Sequence, residues 1–202
     1  MARIAVDAMG GDYAPRAPIA GALHALGALP PDHHIELVGQ TAVIERELDA
    51  LLREELAALA HVRSRLSIVE APDVIEMTDS PRVAMRAKPN RSMVVGIRRV
   101  AEGLAHGFVS AGNTGAQMAA SLMLLKLHEG LKRPAIGTLF PTAAQPILVL
   151  DVGANIGATA RQLTDFALMG AAMARALFHV ERPTVGLLNV GVEEIKGNEV
   201  VK

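Results

Sequence analysis

The sequence contains no cysteine and no tryptophan, and only four phenylalanines and one tyrosine among 202 residues. Without cysteine there is no disulfide, no thiolate metal site and no thiol nucleophile, a composition that suits a reducing cytoplasm. With so few aromatic rings the core has to be assembled from Ala, Val, Ile, Leu and Met, and bases of a nucleic acid would find no stacking platform. An excess of one charge sign is also missing: the formal net charge is −1, so no nucleic-acid partner is expected. The apolar run 116–125 is too short to span a bilayer and gives way to Lys126 and His128. The first seven residues enter a strand-like pattern directly, with no secretory signal. A soluble cytoplasmic protein, at most peripheral at the inner face of a membrane, is the expectation. The histidines have no metal-binding spacing: His33 and His34 precede a strand, and His24, His61, His106, His128 and His179 stand alone. Neither a metal site nor a cofactor is expected.

What is present is a strand, glycine-rich turn, helix rhythm in a chain that is 50% apolar and 20% charged. Strands are expected at 3–7, 34–38, 66–69, 107–109, 136–139, 147–150 and 184–188. Helices are expected from Pro15, from the residue capped by Thr41, and over 81–88, 92–104, 114–127 and 162–178. In the second helix Ile44, Leu48, Leu51, Leu52, Leu56 and Leu59 share one face, and Met118 and Met123 read as core positions of a later one. The alternation predicts an α/β fold with a mostly parallel sheet covered by helices on both faces. No linker-like stretch or repeat divides the chain, so a single domain over 1–202 is expected. The stop at Lys202, shortly after a strand and a polar loop, reads as C-terminally truncated, because a doubly wound sheet would add another helix.

Ligands of parallel sheets gather beyond the carboxyl ends of the strands. The first such loop, Asp7-Ala8-Met9-Gly10-Gly11-Asp12, is either a tight turn or a place where backbone approaches a ligand closely. Ser110-Ala111-Gly112-Asn113-Thr114-Gly115 nearly spells a P-loop, but Asn113 stands where that motif needs lysine, which argues against nucleotide hydrolysis. A glycine turn opening a helix still favours an anion, phosphate or carboxylate, over a plain capped helix start. Asp151-Val152-Gly153-Ala154-Asn155 offers Asp151 and Asn155 to hold a substrate or orient a lysine, or is an unliganded Asn turn. In the loop 189–198, Lys196 is either a cation for a phosphate or oxyanion, or a solvated surface lysine. Arg82 and Arg86, one turn apart in a helix capped by Asp79 or Ser80, are an anion clamp or a solvated basic face.

Taken in order, these loops resemble the PlsX family, the acyl-ACP–phosphate transacylases of bacterial phospholipid synthesis. The resemblance rests on Ile4-Ala5-Val6-Asp7-Ala8-Met9-Gly10-Gly11-Asp12 with Ala14-Pro15; on Met77, Asp79, Pro81, Ala84, Arg86, Lys88 and Ser92-Met93; and on Ser110–Gly115 with Ala116. Arg133-Pro134, Leu150–Asn155, Gly186-Leu187-Leu188-Asn189 and Glu194-Ile195-Lys196-Gly197 continue it over essentially the whole chain. Two departures stand out: Arg91-Ser92 replaces a serine pair, and the family's C-terminal third is absent. The resemblance implies a three-layer α/β/α fold similar to the isocitrate/isopropylmalate dehydrogenase-like and phosphotransacetylase folds. It implies transfer of an acyl group from acyl carrier protein to inorganic phosphate. Lys196, Asn155 and Asn113 would then be catalytic, with Gly10, Gly11, Asp12, Arg86, Lys88, Ser110, Gly112, Thr114, Gly115, Asp151 and Asn189 binding phosphate or substrate. It implies a homodimer whose acyl phosphate feeds a membrane glycerol-3-phosphate acyltransferase. The rival readings are a short-chain phosphotransacylase using acyl-CoA, a metal-dependent dehydrogenase, and an inactive truncated fragment.

Overall fold

Short runs rich in β-branched residues form the first sheet because such side chains pack well on a pleated surface. In the computed structural model, which describes residues 1–76, 90–153, 155, 157–191, 196–197 and 200, β1 is Arg3–Asp7, β2 His34–Gly39, β3 Leu66–Glu70 and β4 Gly107–Val109. Their order is β3-β2-β1-β4 and every pairing is parallel. The register sets Ile4 opposite Ile35 and Gly107, and Val6 opposite Leu37 and Val109.

Helices α1 (Arg16–Ala28) and α2 (Thr41–Arg53) cover one face of this sheet. Ile19, Leu23 and Leu26 of α1 meet Ile44, Leu48 and Leu51 of α2 over Ile35 and Leu37. These six helical side chains are fully buried or nearly so, and each contributes roughly 1.5–3 kcal/mol by leaving water. A 3-10 stretch, Ala57–Arg65, closes this layer with Leu59 and Val62. The opposite face packs on α3 (Ser92–Ala101), where Val95 and Val100 meet Ala5 and Val38. A Cβ on Gly96 would sit 2.2 Å from the Phe108 ring, so α3 approaches β4 this closely only without a side chain there. Helix α4 (Thr114–Leu124) packs on α3 through Ala116 and Ala120.

The chain divides into two compact units, Met1–Lys126 and Leu127–Lys202. The second contains β5 (Gly137–Phe140) antiparallel to β6 (Ile147–Leu150), and α5 (Ala160–Phe178). A Thr159–Gln162 capping box opens α5, and His179 ends it in the left-handed conformation.

The sequence expectations need three corrections, at Thr41, at residues 184–188 and at the two methionines. Thr41 is the first residue of α2 and not its cap; Gln40 holds the cap position without a side-chain bond, and Glu70 Oε2 accepts from the Thr41 amide at 3.0 Å instead. The extended segments expected at 136–139 and 147–150 are present as β5 and β6, which pair antiparallel because the short connection at 141–146 permits a hairpin but no parallel crossover. Residues 184–188 form no strand, and Leu188 is 90% exposed. Met118 is half-buried, while Met123 is 62% exposed and contributes little to the core. The expected helix at 81–88 lies outside the described residues.

Candidate functional site

Parallel pairing of β1 with β4 carries their following loops to the same sheet edge, with Val6 beside Val109 and therefore Asp7 beside Ser110. Asp7 is buried, yet its carboxylate is engaged on both oxygens. Oδ1 accepts from the Met9 amide at 3.1 Å and Oδ2 from the Ser110 hydroxyl at 2.8 Å. The Ser110 oxygen accepts in turn from the Gly112 amide at 3.0 Å. Ser110 thus joins the two loops and is committed on both its donor and its acceptor side.

The glycines between them are there for close approach. A Cβ at Gly10 would lie 2.6 Å from Asp7 Oδ2 and 2.8 Å from Ser110 Oγ. Gly11 has φ +103°, a left-handed conformation that other residues avoid, and faces Ala111. Asn113 caps α4, its Oδ1 accepting from the Ala116 amide at 3.0 Å. The amides of Thr114 and Gly115, in the first turn, have no intrahelical acceptor, so two N–H groups and the positive end of the helix dipole point out of the loop. Asp12, after the Gly10-Gly11 turn, is exposed.

A cavity of about 490 Å³ opens from these loops and runs under α1. Asp7, Gly10, Gly11, Asp12 and Ser110 are at its mouth.

In the second unit Asp151 has φ 61° and closes its own loop. Its Oδ1 accepts from both the backbone amide and the side-chain Nδ2 of Asn155, each at 2.9 Å. Asn155 Nδ2 also donates to the Pro134 carbonyl at 3.1 Å, and Arg133 Nη1 approaches Asn155 Oδ1 at 3.5 Å. Arg133 was legible only as part of an Arg-Pro motif, and its position beside Asn155 comes from the fold. Asn189 bridges a further loop: Oδ1 accepts from the Val190 amide at 2.8 Å and Nδ2 donates to the Lys196 carbonyl at 3.3 Å. Lys196 itself is exposed. The structure therefore gathers Asp7, Gly10, Gly11, Ser110, Gly112 and Asn113 in one unit. In the other it pairs Asp151 with Asn155 and Asn189 with Lys196. Arg86 and Lys88 lie outside the described residues. Among the described residues no group of three His, Cys, Asp or Glu side chains could hold a metal ion.

Comparison with known proteins follows the same lines. The family model described as "Fatty acid synthesis protein" matches residues 2–202. The chain belongs to that family, which is the PlsX family of the motif resemblance. It is 49% identical over 201 residues to a phosphate acyltransferase of Heliobacterium modesticaldum, covering 98% of this chain and 57% of that one. To the phosphate acyltransferase of Desulforamulus reducens it is 46% identical over 200 residues, covering 99% and 57%. The chain thus spans a little over half the length of these curated relatives. The EutD phosphotransacetylase of Staphylococcus aureus superposes with a TM-score of 0.59 at 18% identity, over 89% of this chain and 54% of the other, which places both in one α/β fold.

Proposed function

We propose that this chain carries the acyl-transfer site of a phosphate acyltransferase that takes its acyl group from acyl carrier protein. The observation that supports the reading is the first turn of α4, whose leading amides, Thr114 and Gly115, have no acceptor within the helix and follow a loop braced by Asp7, Ser110 and Gly112. A phosphate bound there needs no protein nucleophile. Its oxygen attacks the thioester carbonyl carbon, the C–O bond forms as the C–S bond breaks, and the phosphate proton passes to the departing thiolate. The products are acyl phosphate and free carrier thiol. The protein's share is to hold phosphate and thioester within reach and to stabilise the oxyanion.

Ser110 and Gly112 act in this reading by shaping the loop, Asn113 by capping the helix whose amides take the phosphate, and Arg86 or Lys88 by adding positive charge. Asp151 and Asn155 brace one loop and Asn189 another, and Lys196 supplies the cation for the carbonyl oxygen. The proposal extends to one phosphate acyltransferase domain over the chain, a homodimer, and delivery of acyl phosphate to a glycerol-3-phosphate acyltransferase at the membrane surface. No helix among the described residues is long and apolar enough to cross a membrane.

Acyl phosphate formation, trapped with hydroxylamine, tests the roles in this chain and in the same substitutions made in a full-length relative. Lys196→Ala is expected to lower kcat by about a hundredfold or more with Tm unchanged, because the side chain is exposed. Asn113→Ala should lower both. Normal turnover in both variants would reject the assignment. Long-chain acyl-ACP should outperform acetyl-CoA as donor; the reverse order would make the protein a short-chain phosphotransacylase.

A further inference from the structure

The strand that leads into the Ser110 loop is tied to β1 by a side-chain bond at each end. We propose that the bond at its start, made by His106, is a proton-sensitive brace, so that β4 and the loop after it loosen when the imidazole is protonated. This goes beyond the acyl transfer proposed above and does not depend on it.

β4 is the shortest strand of the first sheet, three residues against five or six in the others. It lies at the sheet edge, with β1 as its one strand neighbour among the described residues. At its far end the Ser110 hydroxyl donates to Asp7 Oδ2 at 2.8 Å. At its start Arg3 and His106 exchange two bonds. The His106 amide donates to the Arg3 carbonyl at 2.8 Å, and the Arg3 amide donates to His106 Nδ1 at 3.1 Å. The ring nitrogen thus stands in for a backbone carbonyl and extends the ladder past Gly107.

A backbone N–H can only donate, so Nδ1 is the bare nitrogen and the ring proton is on Nε2. Protonation removes that acceptor and sets two N–H groups against each other. The ring is exposed, so solvent protons reach it freely. Histidine ordinarily titrates near pH ~6.5; the brace is in place above that range and lost as pH falls through it. The other charged groups at this end of the sheet are Arg3, and Glu36, which is 3.7 Å from Arg3 Nε and bonded by Arg99. Glu102 acts on Arg99, and His34 lies opposite Arg3 on β2. His33 and the terminal amine are paired with Asp32. With the first rung gone, the short strand keeps a side-chain tie only at the loop end. That end fixes Ser110 on Asp7 and Gly112 on Ser110.

The test follows amide hydrogen exchange in the whole chain by NMR, between about pH 5 and 8, as protection factors corrected for the intrinsic rate. In the parent the Arg3 and Gly112 amides should lose protection together in acid, Arg3 by about fivefold. His106→Asn keeps an acceptor that does not titrate and should hold protection flat. His106→Ala, which has no acceptor, should show the acid value at every pH. A double variant, His33→Gln with His34→Gln, should keep the parent's dependence. Arg3 protection that is constant with pH in the parent, or that falls equally in His106→Asn, would overturn the proposal. Loss at Arg3 with Gly112 unaffected would overturn the coupling to the Ser110 loop. The titration of the His106 ring itself, read from its nitrogen shifts in the parent, should share its midpoint with the loss at Arg3. Different midpoints would overturn the brace without recourse to any variant.

Discussion

A methyl group at Gly10 would press against Asp7 Oδ2 at 2.6 Å and Ser110 Oγ at 2.8 Å, and neither atom can retreat without breaking the bond between them. Gly10→Ala is therefore expected to destabilise the chain by about 1–3 kcal/mol, read from urea unfolding. Ser110→Ala removes one of the two partners of a buried carboxylate and should cost a similar ~1–3 kcal/mol. A Gly10→Ala variant as stable as its parent would show that the two loops are not packed this tightly. At this scale the sequence conveyed residue types but not their engagements. Ser110 and Asn113 read as donors to a ligand, yet Ser110 is spent on Asp7 and Gly112, and the Asn113 oxygen on Ala116. Side-chain bonds that cross from one loop to another depend on which strands are neighbours, and spacing along the chain does not encode that.

Helix ends show how the elements are held. At the end of α1, Arg65 donates to the carbonyls of Leu26, Leu29, Pro30 and His33, at 2.6–3.3 Å. At the start of α2, Glu70 takes the role expected of Thr41. The hydrogen bonds from Thr41 hold the Glu70 carboxyl below its ordinary range, and its negative charge sits at the positive end of the helix. A folded-state pKa below the unfolded one contributes stability that is present above the unfolded value and lost as pH falls through the folded value. Glu70→Gln should therefore lower Tm at neutral pH, with the gap from the parent closing in acid. A gap independent of pH would contradict the charge-based cap. Strands and helices of the first unit were legible because hydrophobic period and glycine turns agree there. Segments 136–139 and 147–150 were legible as extended, and the short connection between them leaves antiparallel pairing as the available ladder. Residues 184–188 carry strand-like composition but pair with no strand among the described residues, and composition alone makes no ladder.

Across the first unit, a buried carboxylate ties the layers together. Glu36 in β2 accepts from Arg99 of α3, at 2.7 Å from Nη2 and through a second bond from Nε, and Arg3 of β1 stands 3.7 Å away. The hydrogen bonding of Arg99 to the Glu36 carboxylate is the main cause raising the Arg99 pKa. Glu36→Gln should cost about 3 kcal/mol, the lower end for breaking a buried pair because Arg99 is partly exposed. Replacing both partners with Glu36→Leu and Arg99→Met should cost less than the sum of the singles; additive losses would show the pair to be uncoupled. The α/β class was open to reading from the alternation of elements. The acyl and phosphate chemistry came from the order of the motifs and from family membership, while the cavity under α1 emerged only once α1 was packed on β1 and β2. The most direct measurement of the central claim is the fate of radiolabelled inorganic phosphate incubated with long-chain acyl-ACP and the protein. The account predicts label in a hydroxylamine-sensitive acyl phosphate, formed in step with free carrier thiol. Thiol release without label in acyl phosphate would contradict it.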